Sequence, residues 1–182
     1  VVKNSKLDNP MDEIFTYYMY YLRGKEKTTS STTIGLRKFY EGKDYFTDKR
    51  DDTMNDISFL ADFWRDVVRR NEERFDENVI NRFFVLKDVP NAMWKNLVSV
   101  YILQNRELEQ EKLIDFLDKT IAFFLASIVN HISNSNMKSP IFNVMKNIIE
   151  NKELKWEKYD ENQIRDNIKN FEFKNASNIT KS

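Results

Sequence analysis

The sequence contains no cysteine, which excludes disulfide bonds, thiolate metal sites and cysteine nucleophiles and fits a reducing compartment. Only three glycines and three prolines occur in 182 residues. Sheet proteins need such turn residues at short intervals, so their scarcity favours long helices. Gly24, Gly35 and Gly42 are isolated from one another, so the glycine-rich loops that bind phosphate in the common nucleotide folds are excluded.

The chain has no excess of charge, because 29 basic residues balance 29 acidic residues. It also has no long apolar run. Zero net charge removes the simplest argument for a nucleic-acid partner, although it allows a local basic patch. The longest apolar stretch, Ile121 to Val129, is too short to span a bilayer, so no membrane partner is expected. The start at Val1 lacks a charged-then-apolar leader. It fits a segment of a longer protein, a processed chain or a chain freed of a tag, and we expect a cytoplasmic protein.

Apolar residues make up 41% of the sequence and aromatic residues 14%, which suffices for a substantial core. Apolar residues at helical spacing predict helices from Pro10 to Arg23, over 34–41, over 51–74, around Val79 to Leu86, from Met93 to Leu103, over 109–132, after Ser139 and after Asp160. We therefore predict an all-α fold, an irregular bundle of about six to eight helices. It forms one domain over residues 1–174, or two sub-bundles that share a seam near residues 87–91.

Two of the longer helices carry further predictions about burial. The apolar stripe of the 51–74 helix is expected to face the core. It consists of Met54, Ile57, Leu60, Ala61, Trp64, Val67 and Val68. The 109–132 helix is apolar nearly all round in its middle, which predicts a central position in the domain.

The C-terminal third is predicted from its polar residues and turn signals. Residues 133–138 are polar and predicted to form a loop, followed by Ser139 as N-cap and Pro140 at the first helical position. Asp160 and Gln163 have the spacing of a capping box. Alternating residues from Phe171 to Lys174 predict a short extended segment, and residues 175–182 form a polar tail.

Candidate catalytic groups are few. The single histidine, His131, has no second histidine with which to share a metal, so a structural role is favoured. Asp62 and Asp66, like Asp115 and Asp118, lie about one helical turn apart, as metal-binding carboxylates can. Basic residues stand beside them, so surface ion pairs are favoured over a metal site. We predict no catalytic residue, metal site or cofactor in this chain, and whether the parent protein is an enzyme stays open.

Basic and aromatic residues mix in two places. One is residues 17–27, where four tyrosines stand among lysines and arginine. The other is the polar face of the 51–74 helix, with Arg65, Arg69 and Arg70. Exposed aromatic rings beside cations would suit a nucleic acid, whereas buried tyrosines with solvated charges would be an ordinary helix. Interleaved acids favour the ordinary interpretation, and the three arginines are kept as the candidate surface for nucleic acid or another partner.

Six segments occur in an order that resembles a known family. They are Ile14 to Tyr18, Leu36 to Glu41, Phe59 to Trp64, Val89 to Trp94, Leu113 to Leu117 and Phe171 to Phe173. By pattern and spacing, and over most of the chain, they resemble GmrSD-type modification-dependent restriction systems. In that family a ParB-like/sulfiredoxin-like nucleotide-hydrolysing domain with an Asp-Gly-Gln-Gln-Arg motif lies on the N-terminal side, and an HNH-type nuclease domain often lies on the C-terminal side.

The resemblance implies the helical middle region between those two domains. The sequence has no Asp-Gly-Gln-Gln-Arg motif and His131 stands in no HNH-like context, so no catalytic residue of the family is transferred. The implied function is a non-catalytic scaffold or connector of a nucleotide-dependent, DNA-targeting restriction protein. Its expected partners are the flanking domains and DNA or another protein. The alternatives are a free-standing helical protein–protein interaction module and, last, a helical enzyme with a carboxylate metal site.

Overall fold

The fold is helical throughout the described part of the chain. A computed structural model describes residues 10–28, 32, 34–107, 109–156 and 160–169. These residues form no strand. They form α1 (Pro10–Lys25), α2 (Leu36–Tyr40), α3 (Arg50–Arg69), α4 (Glu77–Lys87), α5 (Met93–Gln104), α6 (Gln110–Val129), α7 (Asn134–Ile149) and α8 (Glu161–Lys169), with a 3₁₀ helix at Asp44–Phe46. The predicted all-α fold is confirmed. The predicted extended segment from Phe171 to Lys174 and the tail 175–182 lie outside the described residues.

Three long helices, α1, α5 and α7, begin at the same end of the bundle. Lys95 Nζ in the first turn of α5 lies 3.5 Å from a carboxylate oxygen of Glu13 in the first turn of α1. Asn91 Nδ2, just before α5, donates to Asn134 Oδ1 at the start of α7 over 3.1 Å. The starts of the three helices are therefore neighbours.

The same three helices also end together. Gln104 Nε2, in the last residue of α5, donates over 3.3 Å to Asn151 Oδ1, just past α7. Gly24, near the end of α1, lies so close to Ile149, the last residue of α7, that the Ile149 side chain occupies the space that a Cβ would need. Starts meet starts and ends meet ends, so α1, α5 and α7 run parallel.

Parallel packing gathers the negative ends of three helix dipoles at one end of the bundle. Lys25 and Lys146 stand in the last turns of α1 and α7. Glu150 lies among further lysines, and the pKa of its carboxyl is held below the ordinary value by the hydrogen bond and charge of Lys152, with smaller contributions from Lys27 and Lys146. The lysines in the last turns of α1 and α7 lie where a positive charge interacts favourably with the negative end of a helix dipole.

The central helix of the fold is α5, whose buried residues lie on all of its sides. They are Trp94, Asn96, Leu97, Val98, Ser99, Val100, Ile102 and Leu103. α1, α3 and α7 pack around it. The prediction that the 109–132 helix is central is wrong, because α6 packs mainly against α4 and leaves Ala122 and Leu125 exposed. A helix becomes central only when other helices pack around its whole circumference, and α6 has neighbours on only part of its own.

The buried face of α3 is rotated from the predicted stripe. The buried residues of this helix are Thr53, Ile57, Leu60, Phe63 and Trp64. Met54 and Val68, which were expected in the stripe, are 45% and 80% exposed. Phe63 is buried instead, with its ring centroid 5.4 Å from that of Phe75 and 6.0 Å from that of Phe83. The prediction is confirmed at the centre of the stripe and wrong at its two ends.

The predicted loop over residues 133–138 is wrong, because α7 begins at Asn134. Ser133, and not Ser139, is the N-cap, and its Oγ accepts a hydrogen bond from the Asn136 N–H at 3.3 Å. Pro140 therefore lies inside the helix rather than at its first position. Proline has no N–H, so the backbone carbonyl four residues before Pro140 receives no hydrogen bond within the helix. The helix tolerates this one missing bond.

A buried hydrogen bond joins α3 to α5. Trp64 Nε1 donates to Ser99 Oγ at 2.9 Å, and the Ser99 hydroxyl donates to the Lys95 carbonyl at 2.7 Å. The Trp64 ring also meets the Trp94 ring edge-on, with the centroids 5.7 Å apart. The first bond satisfies the indole N–H inside the core, and the second satisfies the Ser99 hydroxyl group.

Ser99→Ala is expected to lower the free energy of unfolding by about 1–3 kcal/mol, because it leaves the buried Trp64 N–H without its acceptor. Thr120→Val is the matched control: Thr120 is equally buried, but its hydroxyl donates only to the Phe116 carbonyl of its own helix. Its expected loss is below about 1 kcal/mol. Urea denaturation measures both. Equal losses would contradict a specific role for the Trp64–Ser99 bond.

Candidate partner surface at the junction of α3 and α4

The three predicted arginines lie on the surface at the end of α3, but their surroundings differ. Arg65 Nη1 lies 2.7 Å from a carboxylate oxygen of Asp62, and its Nε lies 3.9 Å from Asp66. Arg69 is the exposed last residue of α3. Arg70 follows the helix, and its guanidinium reaches across to α4. The charge of Arg65 is offset within α3, which leaves Arg69 and Arg70 as the cations of this surface that can meet a partner.

α4 contributes an aromatic ring that the sequence did not single out as functional. Phe84 is 50% exposed, and its ring centroid lies 5.3 Å from Arg70 Cζ and 5.7 Å from Lys87 Nζ. The neighbouring Phe83 is buried, and on a helix with one buried face the next residue points about 100° away from it. That adjacency was the signal available in the sequence. We name the combined set the α3–α4 surface: Arg65, Arg69, Arg70, Phe84 and Lys87.

Asp66 holds the turn that brings Arg70 towards α4. Its carboxylate accepts hydrogen bonds from Arg74 Nη1 at 2.8 Å and from Asn71 Nδ2 at 3.3 Å. The Arg74 bond lowers the pKa of Asp66 below its ordinary value despite opposing burial, and the Asn71 bond and the charge of Arg65 add to this effect. The Arg74 carbonyl in turn accepts from Gln110 Nε2 at 2.9 Å, which ties the turn to α6.

The backbone of Arg70 ends α3 at Arg69, five residues earlier than predicted. Arg70 has a φ of 52° and a ψ of 50°, the left-handed conformation that favours glycine. The N–H of Asn71 bonds to the Asp66 carbonyl at 3.0 Å, and the N–H of Arg70 to the Val67 carbonyl at 3.2 Å. This is a Schellman ending, with arginine at the position where glycine is usual.

The paired carboxylates considered as metal ligands are engaged in ion pairs. Those on α3 are paired as described above. On α6, Asp115 accepts from Lys119 Nζ at 2.7 Å, and Asp118 accepts from Arg82 Nε and Nη2 at 2.8 and 2.9 Å. Among the residues with a described placement, no three His, Asp or Glu side chains are grouped closely enough to hold a metal ion. His131 is exposed in the turn after α6, with a φ of 55°.

The other basic and aromatic region, residues 17–27, is mostly interior. Its tyrosines are all buried: Tyr17, Tyr18, Tyr20 and Tyr21. The interpretation that this helix buries its tyrosines is confirmed, but the expectation that its charges stay in water is wrong for Arg23. That side chain is fully buried, donates to the Thr32 carbonyl at 2.9 Å and lies 5.1 Å from the Phe142 ring centroid. Arg23 therefore belongs to the core.

Comparison with known proteins gives no relative for this chain. No family model, no curated protein and no solved structure matches it. None of the helices in the described ranges has the length and apolar character that crossing a membrane requires. The resemblance to GmrSD-type systems stays a prediction from the sequence, and the single domain over 1–174 does too.

Replacing Arg70 separates the cost of its backbone from the role of its side chain. Arg70→Gly and Arg70→Ala both remove the guanidinium, but only glycine relieves the left-handed strain. We expect the glycine variant to be more stable than the alanine variant by about 1 kcal/mol. Thermal or urea unfolding of the two variants measures the difference. An alanine variant as stable as the glycine variant would rule out backbone strain at this position.

The Asp66–Arg74 pair is expected to make stability depend on acid. The folded-state pKa of Asp66 lies below its ordinary value of 3.8, so its contribution is complete above that pH and is lost as the pH falls through the folded pKa. Asp66→Asn should therefore be less stable at neutral pH and should lose less stability between about pH 4 and pH 2. Denaturation at stepped pH measures both. An unchanged acid slope in the variant would contradict the prediction.

Proposed function

We propose that this chain is a non-catalytic helical scaffold from a cytoplasmic, nucleotide-dependent, DNA-targeting restriction protein, in which it positions flanking domains. The observation that carries the proposal is the order of the six segments that resemble GmrSD-type systems. Five of them lie in the described part of the chain, four within or overlapping α1, α2, α3 and α6 and one across the turn that opens α5. The parallel core of α1, α5 and α7 suits the scaffold role, because a closely packed core holds attached domains at fixed positions.

The α3–α4 surface is the proposed contact with DNA. Among the described residues, Arg69, Arg70 and Lys87 form no ion pair, so their charges are free to meet phosphate oxygens. Arginine and lysine contacts to phosphate position a protein on a duplex without reading its sequence. This role fits a connector, since recognition of a modified base would then belong to another part of the parent protein.

A protein partner at the same surface is the second candidate. The half-exposed Phe84 has an exposed neighbour in Val85, and exposed acids such as Glu72 and Asp88 lie nearby in the sequence. An apolar centre rich in aromatic residues and arginine, with a mixed-charge rim, is typical of protein–protein interfaces. That composition favours the interaction-module alternative.

DNA binding is tested by fluorescence anisotropy with a labelled 20-base-pair duplex and the full chain. If three cations contact phosphates, affinity should fall roughly forty-fold between 50 and 200 mM salt. Arg69→Glu combined with Arg70→Glu should weaken binding by at least about tenfold. Lys112→Glu combined with Lys119→Glu is the matched control, since it makes the same charge change on the exposed face of α6 and should have a smaller effect.

Two results would contradict DNA contact at this surface. One is no binding at 50 mM salt. The other is an equal loss in both charge-reversed variants, which would mean that binding follows net charge alone. Either result would leave the protein-partner candidate, for which Phe84→Ala is the first variant to compare in a partner-binding assay.

A further inference from the structure

α8 is attached to the bundle more weakly than the other helices. It has no buried residue, whereas each of α1 to α7 has at least one. Ile168 is 57% exposed, and Ile164 and Asn167 are only half-buried. α8 packs chiefly against α6. A helix with so little buried surface opens at a low free-energy cost compared with global unfolding.

The part of α6 that α8 and the preceding segment cover forms one stripe. Phe116 and Phe123 are spaced by seven residues, so they lie on the same face of the helix, and Asn130, seven residues further on, directly follows α6. The Trp156 ring centroid lies 6.0 Å from that of Phe116 and 5.8 Å from that of Phe123. Asn167 Nδ2 donates to Asn130 Oδ1 at 2.8 Å. We name Phe116, Phe123 and Asn130 the α6 seat.

The present cover of the seat is incomplete. The indole Nε1 of Trp156 is buried and has no hydrogen-bond acceptor among the described residues. Leaving a buried donor unpaired costs about 1–3 kcal/mol. Residues 152–156 are neither helix nor strand, so no regular backbone hydrogen bonds hold Trp156 in place. The covering segment therefore occupies the seat without the full set of interactions that the core elements have.

We propose that the α6 seat is a binding site for an amphipathic, tryptophan-containing segment of a protein partner, and that Trp156 and α8 occupy it within the chain until the partner displaces them. The intramolecular occupant defines the chemistry of the partner. It presents a large aromatic side chain to Phe116 and Phe123, and an amide that bonds to Asn130. This site goes beyond the scaffold role and does not depend on DNA contact at the α3–α4 surface.

Competition between the two occupants follows from this arrangement. A partner binds only when Trp156 and α8 have left the seat, so its apparent affinity equals the intrinsic affinity reduced by the open fraction. A change that weakens the intramolecular contact should therefore strengthen binding in trans. A change that locks the contact should abolish it.

The test uses the full chain and a fluorescein-labelled synthetic peptide with the sequence of residues 152–169. Ile164→Asp in the chain weakens its own α8 while the peptide keeps its isoleucine, and we expect about tenfold tighter peptide binding than to the original chain. Because the chain has no cysteine, Asn130→Cys with Asn167→Cys allows the two positions to be joined through a short bis-methanethiosulfonate linker, whose disulfides with both cysteines form the oxidised protein and are checked by mass. The oxidised protein should not bind, and the same protein after reduction should bind again.

Three results would overturn the proposal. They are equal peptide binding by the oxidised and reduced forms, equal binding by the original chain and the Ile164→Asp variant, and no binding to that variant at a peptide concentration of about 1 mM. Far-UV circular dichroism confirms that the variants keep their helical bundle.

Discussion

The burial of α5 on all sides is the constraint on which the rest of the structure depends. A helix without a solvent-facing side needs apolar neighbours around its whole circumference, and α1, α3 and α7 supply them. Truncating a core leucine such as Leu97 to alanine typically costs about 2–5 kcal/mol, so the arrangement around α5 dominates stability. Because α7 runs parallel to α5, the chain must return between them, and α6 is the helix that makes this crossing. The crossing places α6 at the periphery despite its apolar sequence.

Local signals in the sequence predicted the elements better than their positions. The helical class and the cap at Asp160, whose carboxylate accepts from the N–H groups of Asn162 and Gln163, follow from spacing and capping chemistry. Periodicity cannot say which of two apolar helices becomes central, because that depends on contacts between distant segments. Serine caps helices well, and both Ser133 and Ser139 precede apolar residues at helical spacing. The structure uses Ser133, which gives a longer helix that contains Pro140.

The candidate site was predictable in part. A polar helix face placed Arg65, Arg69 and Arg70 at the surface, as the structure does. The approach of Phe84 and Lys87 depends on the turn after α3, which requires a left-handed arginine and a bond between side chains eight residues apart. Arginine in that conformation is not something that residue preferences predict. The same turn connects the α3–α4 surface to the α6 seat, because the Arg74 carbonyl accepts a hydrogen bond from Gln110 of α6.

Residue-resolved native-state hydrogen exchange tests the central position of α5 most directly. The structure predicts that amides from Leu97 to Ile102 exchange only through global unfolding and are the slowest in the protein. Amides of α6 should exchange faster, and those of α8 fastest among the helices. Slower exchange in α6 than in α5 would contradict this account, because it would indicate that α6, as its apolar sequence alone predicts, is the central helix.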